Sequence, residues 1–112
     1  MESGLLTLQT SRDGDTAAVK CTGRLVAGGT GDFRADIKRL IAQSKVVVLD
    51  FTGLTQMDSL GLGTIVSLYV SAKSAGCELK MINLSQRVRE LFHITNLSSL
   101  FEVYGDHPTK MM

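Results

Sequence analysis

The feature that most constrains this chain is a continuous apolar run from Val46 to Leu49, which is rich in β-branched residues and is ended by Asp50. Such a run favours a strand that is buried on both faces, as at the centre of a parallel sheet. The segments on either side carry apolar residues at helical spacing instead. Those residues are Phe33, Ile37, Leu40 and Ile41 before the run, and Leu62, Ile65, Val66, Tyr69 and Ala72 after it. Helix, strand and helix in this order predict an α/β fold with crossover connections.

The other elements complete a single domain. The Asp13-Gly14 step predicts an antiparallel hairpin near the N-terminus, and Gly76 is a good end for the second helix. The other predicted elements are strands at Leu5–Thr10, Ala17–Thr22 and Leu79–Ile82, a third helix capped by Ser85, and a closing helix or strand within Leu97–Tyr104. The predicted fold is therefore α/β, one domain over residues 1–112 with a mixed, mostly parallel sheet, an N-terminal hairpin and helices packed on it. Its core spans about residues 5–104, and residues 105–112 form a tail.

Composition and charge narrow the classes of partner. The net charge is +1 and no basic run is present, so we expect no nucleic-acid partner. No apolar run is long enough to span a bilayer, and Met1–Gly4 does not resemble a signal peptide, so we expect a cytoplasmic protein without membrane insertion. Cys21 and Cys77 lie in apolar surroundings and read as reduced core thiols.

The most informative segment leads from the buried strand into the second helix. Thr52–Asp58 reads as a short polar loop, and Ser59 as the helix N-cap or its neighbour. A capping serine would explain Ser59 structurally. Two further features favour a kinase substrate: Gly61 and Gly63 leave the backbone bare, and at least one of two nearby leucines, Leu60 and Leu62, is expected to be exposed.

Phosphorylation at such a position would act through charge. A phosphoserine brings about −1.5 to −2 charges at pH 7. The free N–H groups and the dipole of a helix N-terminus tolerate an anion, so the fold should survive. A partner packed over Leu60 and Gly61 would have to desolvate the dianion beside Asp58, so its binding should be lost.

Several segments resemble the STAS domains, and among them the single-domain bacterial anti-sigma factor antagonists. The resemblance covers roughly Leu5 to Tyr104. Its marks are Gly23 with Leu25, Val48-Leu49-Asp50, Asp58-Ser59-Leu60-Gly61-Leu62-Gly63, Ala75-Gly76-Cys77-Glu78-Leu79, Val88-Arg89-Glu90-Leu91-Phe92 and Asn96-Leu97.

The resemblance implies a protein-binding switch rather than an enzyme, with no cofactor. The unphosphorylated antagonist binds an anti-sigma factor that is itself a serine kinase, and thereby frees a sigma factor. The kinase phosphorylates the position of Ser59, and a phosphatase reverses the modification. The predicted partner surface comprises Gln56, Met57, Asp58, Ser59, Leu60, Gly61 and Leu62.

The chain departs from the family pattern at three places. Leu60 replaces the usual Ser or Thr after the phosphorylated serine, and Val26 stands where an Asp is usual. The segment Gly28–Gly31 is unusually rich in glycine, and Thr30 lies one place from the usual capping threonine. These differences fall near the expected partner face, so we expect them to affect partner choice and kinase recognition.

Alternatives from other classes have weaker support. A hydrolase would need Ser59, Asp106 and His107 as a triad, but Met57 occupies the first glycine position of the G-x-S-x-G motif. His93 reads as a half-exposed packing residue. A nucleotide-binding motif is not completed by Gly28–Gly31 or by Gly61-Leu62-Gly63, where Val66 stands at the last glycine position of G-x-G-x-x-G. No cluster of residues has the spacing of metal ligands. The nearest alternative keeps the fold: a STAS scaffold, or a regulatory subunit of a stress-sensing complex or of a lipid-transport ABC system, without phospho-switching.

Overall fold

The computed structural model describes residues 5–94 and the short strand at residues 103–104. The elements are β1 (Leu6–Asp13), β2 (Thr16–Leu25), α1 (Thr30–Ala42), β3 (Val46–Met57), α2 (Ser59–Ala75), β4 (Glu78–Ile82), α3 (Gln86–Ile94) and β5 (Val103–Tyr104). The predicted order ββαβαβα is confirmed, and β5 supplies a closing strand. The rest of the predicted closing piece, residues 97–102, and the predicted tail, residues 105–112, lie outside the described residues.

The strands form one mixed sheet in the order β1-β2-β3-β4-β5. β1 and β2 pair antiparallel, and every later pair is parallel. Gly14 has a φ of 62° and, with Asp15, makes the two-residue turn between the first two strands. The predicted N-terminal hairpin and mostly parallel sheet are therefore confirmed.

The described helices cover one face of the sheet. Right-handed crossovers that step in the same direction across a sheet place their helices on the same side, and α1 and α2 contact each other there. Val47 and Leu49 are buried beneath them, whereas Val46 and Val48 on the opposite face are only half-buried. The prediction that this strand is buried on both faces is therefore wrong. No helix within the described part of the chain is long and apolar enough to cross a membrane.

β3 is longer than the sequence predicts, because it continues to Met57 where a polar loop was expected from Thr52. The pairing of β2 with β3 steps from Lys20–Asp50 to Thr22–Gly53, and later from Gly23–Leu54 to Arg24–Gln56. Each step inserts one extra β3 residue, which is a β-bulge. As a result the buried side chains Phe51, Leu54 and Met57 recur every third residue. The two bulges bring the end of β3 directly to the start of α2.

Both cysteines are free and buried, as predicted. Burial, and secondarily the charge of Asp50, raises the pKa of Cys21 to about 12. Burial also raises the pKa of Cys77. These thiols are therefore protonated core groups at neutral pH.

Candidate functional site at the start of the second helix

Asp58, rather than Ser59, is the N-cap of α2. Its backbone is extended, with φ −108° and ψ −174°, and the Leu62 N–H donates to its carbonyl oxygen at 2.9 Å. Ser59 is the first residue inside the helix and is exposed. Of the two placements predicted for Ser59, the structure gives the neighbour of the cap.

The Asp58 carboxylate holds two distant parts of the backbone together. Its Oδ2 accepts a hydrogen bond from the Ala27 N–H at 3.0 Å, and its Oδ1 accepts one from the Gly61 N–H at 2.9 Å. These bonds, with the one from Ala27 first, lower the pKa of Asp58 below its ordinary value. The carboxylate thus fastens the connection between β2 and α1 to the first turn of α2.

Gly61 is buried and does not offer bare backbone to a partner. A Cβ at this position would overlap the carbonyl oxygen of Leu25 at the end of β2 and lie 3.0 Å from Cγ of Met57. The expectation that Gly61 leaves the helix start open is therefore wrong: the glycine allows close approach of α2 to the chain's own strand. Gly63 is exposed, and a Cβ there would meet nothing within 4 Å.

The predicted partner surface separates into exposed and buried residues. Gln56, Ser59 and Leu60 are exposed, with Leu60 at 58%, and Asp58 is half-buried. Met57, Gly61 and Leu62 are buried, so in this conformation these residues support the surface rather than form it. The expectation that one of the two leucines is exposed is confirmed. We call the exposed set Gln56, Ser59, Leu60 and Gly63 the α2 entry surface.

The glycine-rich connection lies next to this surface through the Ala27 contact. Gly28 has a φ of 93°, and the Gly29 N–H donates to the Val26 carbonyl oxygen at 3.0 Å, which closes a tight turn. Gly29 is the N-cap of α1 without a side-chain cap, and Thr30 is the first helical residue. Val26, at the family's usual aspartate position, is half-buried. The bond from the Ala27 N–H to the Asp58 carboxylate joins this connection to the start of α2.

The other candidates do not join this site. His93, which was expected to be half-exposed, is exposed near the end of α3. Asp106 and His107 lie outside the described residues. No group of three or more His, Cys, Asp or Glu side chains in the described ranges has the geometry to hold a metal ion.

Comparisons with known proteins place the chain in a family. The STAS domain family model matches residues 7–109. A STAS-domain containing protein of Pseudomonas aeruginosa is 29% identical over 98 residues, which are 88% of this chain and 97% of that protein. An anti-sigma-B factor antagonist of Listeria monocytogenes is 36% identical over 63 residues, 56% of this chain and 55% of that protein. The alignment thus spans about half the length of this second relative.

Solved structures show the same fold. The unphosphorylated form of the anti-sigma factor antagonist SpoIIAA superposes with a TM-score of 0.74 at 20% identity, covering 91% of both chains. An anti-sigma factor antagonist from Mycobacterium paratuberculosis gives a TM-score of 0.80 at 16% identity, covering 92% of this chain and 88% of its own. With the match of the family model over nearly the whole chain, these observations show that the chain belongs to the STAS domain family, whose members similar to it include anti-sigma factor antagonists.

Proposed function

We propose that this chain is an anti-sigma factor antagonist whose unphosphorylated form binds a serine-kinase anti-sigma factor through the α2 entry surface and so releases a sigma factor. Phosphorylation of Ser59 prevents that binding, a phosphatase restores it, and the cycle runs in the cytoplasm. The observation that carries the proposal is the exposure of Ser59 in the first turn of α2, beside the exposed Leu60. Relatives named anti-sigma-B factor antagonists support it. The chain acts by binding and is itself the substrate of the kinase.

The electrostatics of the helix start explain why a phosphate would act on a partner and not on the fold. The Asp58 carboxylate already accepts the Ala27 and Gly61 N–H groups. A phosphate on Ser59 therefore has no need to displace a bond of the fold, and its charge of about −1.5 to −2 remains directed to solvent. A partner that covers Ser59 would have to dehydrate this charge next to a second anion, Asp58, which is strongly unfavourable.

Leu60 supplies the attractive part of the same surface. Its side chain is 58% exposed, and its exposed neighbours in the first turn of α2, Ser59 and Gly63, are small and uncharged. Covering the exposed part of a leucine contributes on the order of 1 kcal/mol. The family usually carries Ser or Thr here, so we propose that Leu60 adapts this surface to an anti-sigma factor with an apolar contact.

The proposal is tested by calorimetric titration of the purified protein with the serine-kinase anti-sigma factor of its native cells. Ser59→Asp should weaken binding by at least about tenfold, which is ~1.4 kcal/mol, whereas Ser59→Ala should bind as the wild type does. Ser85→Asp is a matched control, because Ser85 also lies at a helix start, where its Oγ accepts from the Val88 N–H at 3.2 Å. It should leave binding unchanged.

Two results would contradict the proposal at different points. Wild-type affinity in both Ser59→Asp and Ser59→Ala would show that the interface lies elsewhere. Peptide mass spectrometry of the protein from its native cells tests the modification itself. If Ser59 carried no phosphate under any growth condition, the chain would instead be a STAS scaffold, or a subunit of a stress-sensing complex or lipid-transport ABC system, that is recognised without phosphorylation.

A further inference from the structure

β1 presents an open outer edge within the described part of the chain, because it is the end strand of the sheet order and pairs only with β2 there. The Arg24 N–H donates to the Leu5 carbonyl oxygen at 2.7 Å. Leu5 and every second residue after it therefore form backbone hydrogen bonds with β2. The alternate residues Leu8, Thr10 and Arg12 therefore direct their N–H and C=O groups to the outer edge. An exposed edge of this kind is a template for another strand.

A cleft of about 220 Å³ lies between this edge strand and α1. It is lined by Leu8, Thr10, Asp36, Arg39 and Leu40. The Asp36 side chain is only 15% exposed, and its Oδ1 accepts from Nη2 of Arg39 at 2.8 Å. Its Oδ2 is buried and has no hydrogen-bond partner among the described residues. A buried carboxylate oxygen without a donor is costly, so the cleft is suited to a cationic N–H donor.

Arg12 is such a donor, and its side chain points to the helix side of the sheet, as those of Leu8 and Thr10 do. Within its own chain the guanidinium makes long contacts of 3.4 Å to the Gly14 carbonyl oxygen and 3.3 Å to that of Gln43, and one of 3.1 Å to Oγ of Ser44. Two of these contacts are long and all three are exposed to solvent, so they are exchanged at little cost.

We propose that two copies of this chain pair antiparallel through the outer edges of their β1 strands, and that Arg12 of each copy enters the cleft of the other and binds Asp36. The two-fold axis passes at Thr10, so that Thr10 faces Thr10 and Leu8 faces Arg12 of the second copy. Residues directly opposite in such a pair have Cβ atoms about 5 Å apart, which brings the guanidinium beside Leu8 and the cleft.

The strand is complementary to itself in this register. The remaining facing pairs are Gln9 with Ser11 and Thr7 with Asp13, so no like charges oppose each other. An isologous interface requires that one patch supply both halves of each contact, and here β1 and α1 of one chain supply both the arginine and the carboxylate. The residues involved are distinct from the α2 entry surface, so this inference does not rest on the proposed function.

Sedimentation equilibrium over a concentration series tests the proposal. The wild type should rise from the monomer mass of 12.1 kDa towards twice that value. Arg12→Glu and Asp36→Lys should each raise the dimer dissociation constant by at least about tenfold, because each places two like-charged pairs in the interface. Lys38→Glu is the control, because Lys38 is exposed and lies about 200° around α1 from Asp36. This variant should dimerise as the wild type does.

Mixing the two charge variants gives the decisive result. In a heterodimer the glutamate introduced in one copy meets the lysine introduced in the other, and the native Arg12 and Asp36 that remain form the second pair. An equimolar mixture should therefore dimerise although neither variant does so alone. Thr10→Pro should also abolish dimerisation and keep the β1–β2 hydrogen bonds, since the Thr10 N–H faces outwards.

Circular dichroism checks that each of these variants is folded. Three results would overturn the proposal: a wild type that stays at 12.1 kDa throughout the concentration series, dimerisation of folded Thr10→Pro, or folded charge variants that do not combine when mixed.

Discussion

Replacing Asp58 by alanine should destabilise the domain by about 2 kcal/mol, although the residue lies at the proposed partner surface. Loss of an N-cap acceptor costs ~1 kcal/mol, here the bond from the Gly61 N–H at 2.9 Å. Loss of the bond from the Ala27 N–H costs about 1 kcal/mol more, and no more than that because the exposed donor can bind water instead. For a chain of 112 residues, 2 kcal/mol corresponds to a fall in Tm of about 8 °C.

The assay is urea unfolding followed by circular dichroism at neutral and at acid pH. Hydrogen bonds hold the folded-state pKa of Asp58 below the ordinary value of 3.8. The stability that its carboxylate contributes is therefore fully present above the unfolded-state pKa and is lost as the pH falls through the folded-state pKa. The difference in unfolding free energy between the wild type and Asp58→Ala should be about 2 kcal/mol at pH 7 and smaller near pH 3.

Two further variants test whether the effect belongs to the Asp58 carboxylate. Asp58→Asn keeps one oxygen acceptor but replaces the other with a donor, so it should lose about half of the effect. Ser59→Ala, at the adjacent exposed position, should stay within about 0.5 kcal/mol of the wild type. If Asp58→Ala unfolds at the wild-type urea concentration, or if its deficit is the same at acid pH, the carboxylate does not hold the two backbone segments together.

Three further predictions concern packing, thiol reactivity and the partner surface. Gly61→Ala should lower the unfolding free energy by ~1–3 kcal/mol because its Cβ meets the β2 backbone, whereas Gly63→Ala, which meets nothing, should raise it by up to ~1 kcal/mol. Equal unfolding midpoints for the two variants would contradict this packing. Neither Cys21 nor Cys77 should react with iodoacetamide at pH 8 in the folded protein, and both should react in urea; mass spectrometry reads the labelling, and native labelling would contradict burial. Leu60→Ala should weaken anti-sigma factor binding about fivefold, by calorimetry, with an unchanged Tm; unchanged affinity would place Leu60 outside the interface.

The second half of β3 could not be predicted from the hydrophobic periodicity of the sequence. A short continuous run of apolar, β-branched residues predicts a strand, and Val46 to Leu49 is recognised on that basis. After Asp50 the bulges place buried residues at Phe51, Leu54 and Met57, and this spacing matches neither a strand nor a helix. The polar residues between them then resemble a loop. The bulges arise from pairing with β2, about thirty residues earlier in the chain, which no local pattern contains.

In the candidate site, too, some features depend on the local sequence and others on contacts with distant parts of the chain. The exposed Ser59 and Leu60 follow from a helix start that the sequence already predicts. The roles of Asp58 and Gly61 depend on Ala27 and Leu25, which are more than thirty residues away and come close only in the folded sheet. A motif resemblance identifies such positions as important, but it does not separate a group that holds the fold from one that meets a partner.

The order of the strands in the sheet has a consequence for how this chain folds. Because the spatial order β1-β2-β3-β4-β5 is also the order along the chain, each strand pairs with one that has already been synthesised. The parallel pairs begin at Thr16 with Val46 and at Val46 with Glu78, so each closure spans only about thirty residues. Among the described strands, none has to insert between two others. We therefore expect the sheet to assemble strand by strand from its N-terminal hairpin, so that the α2 entry surface is complete once β3 and α2 have docked on β2.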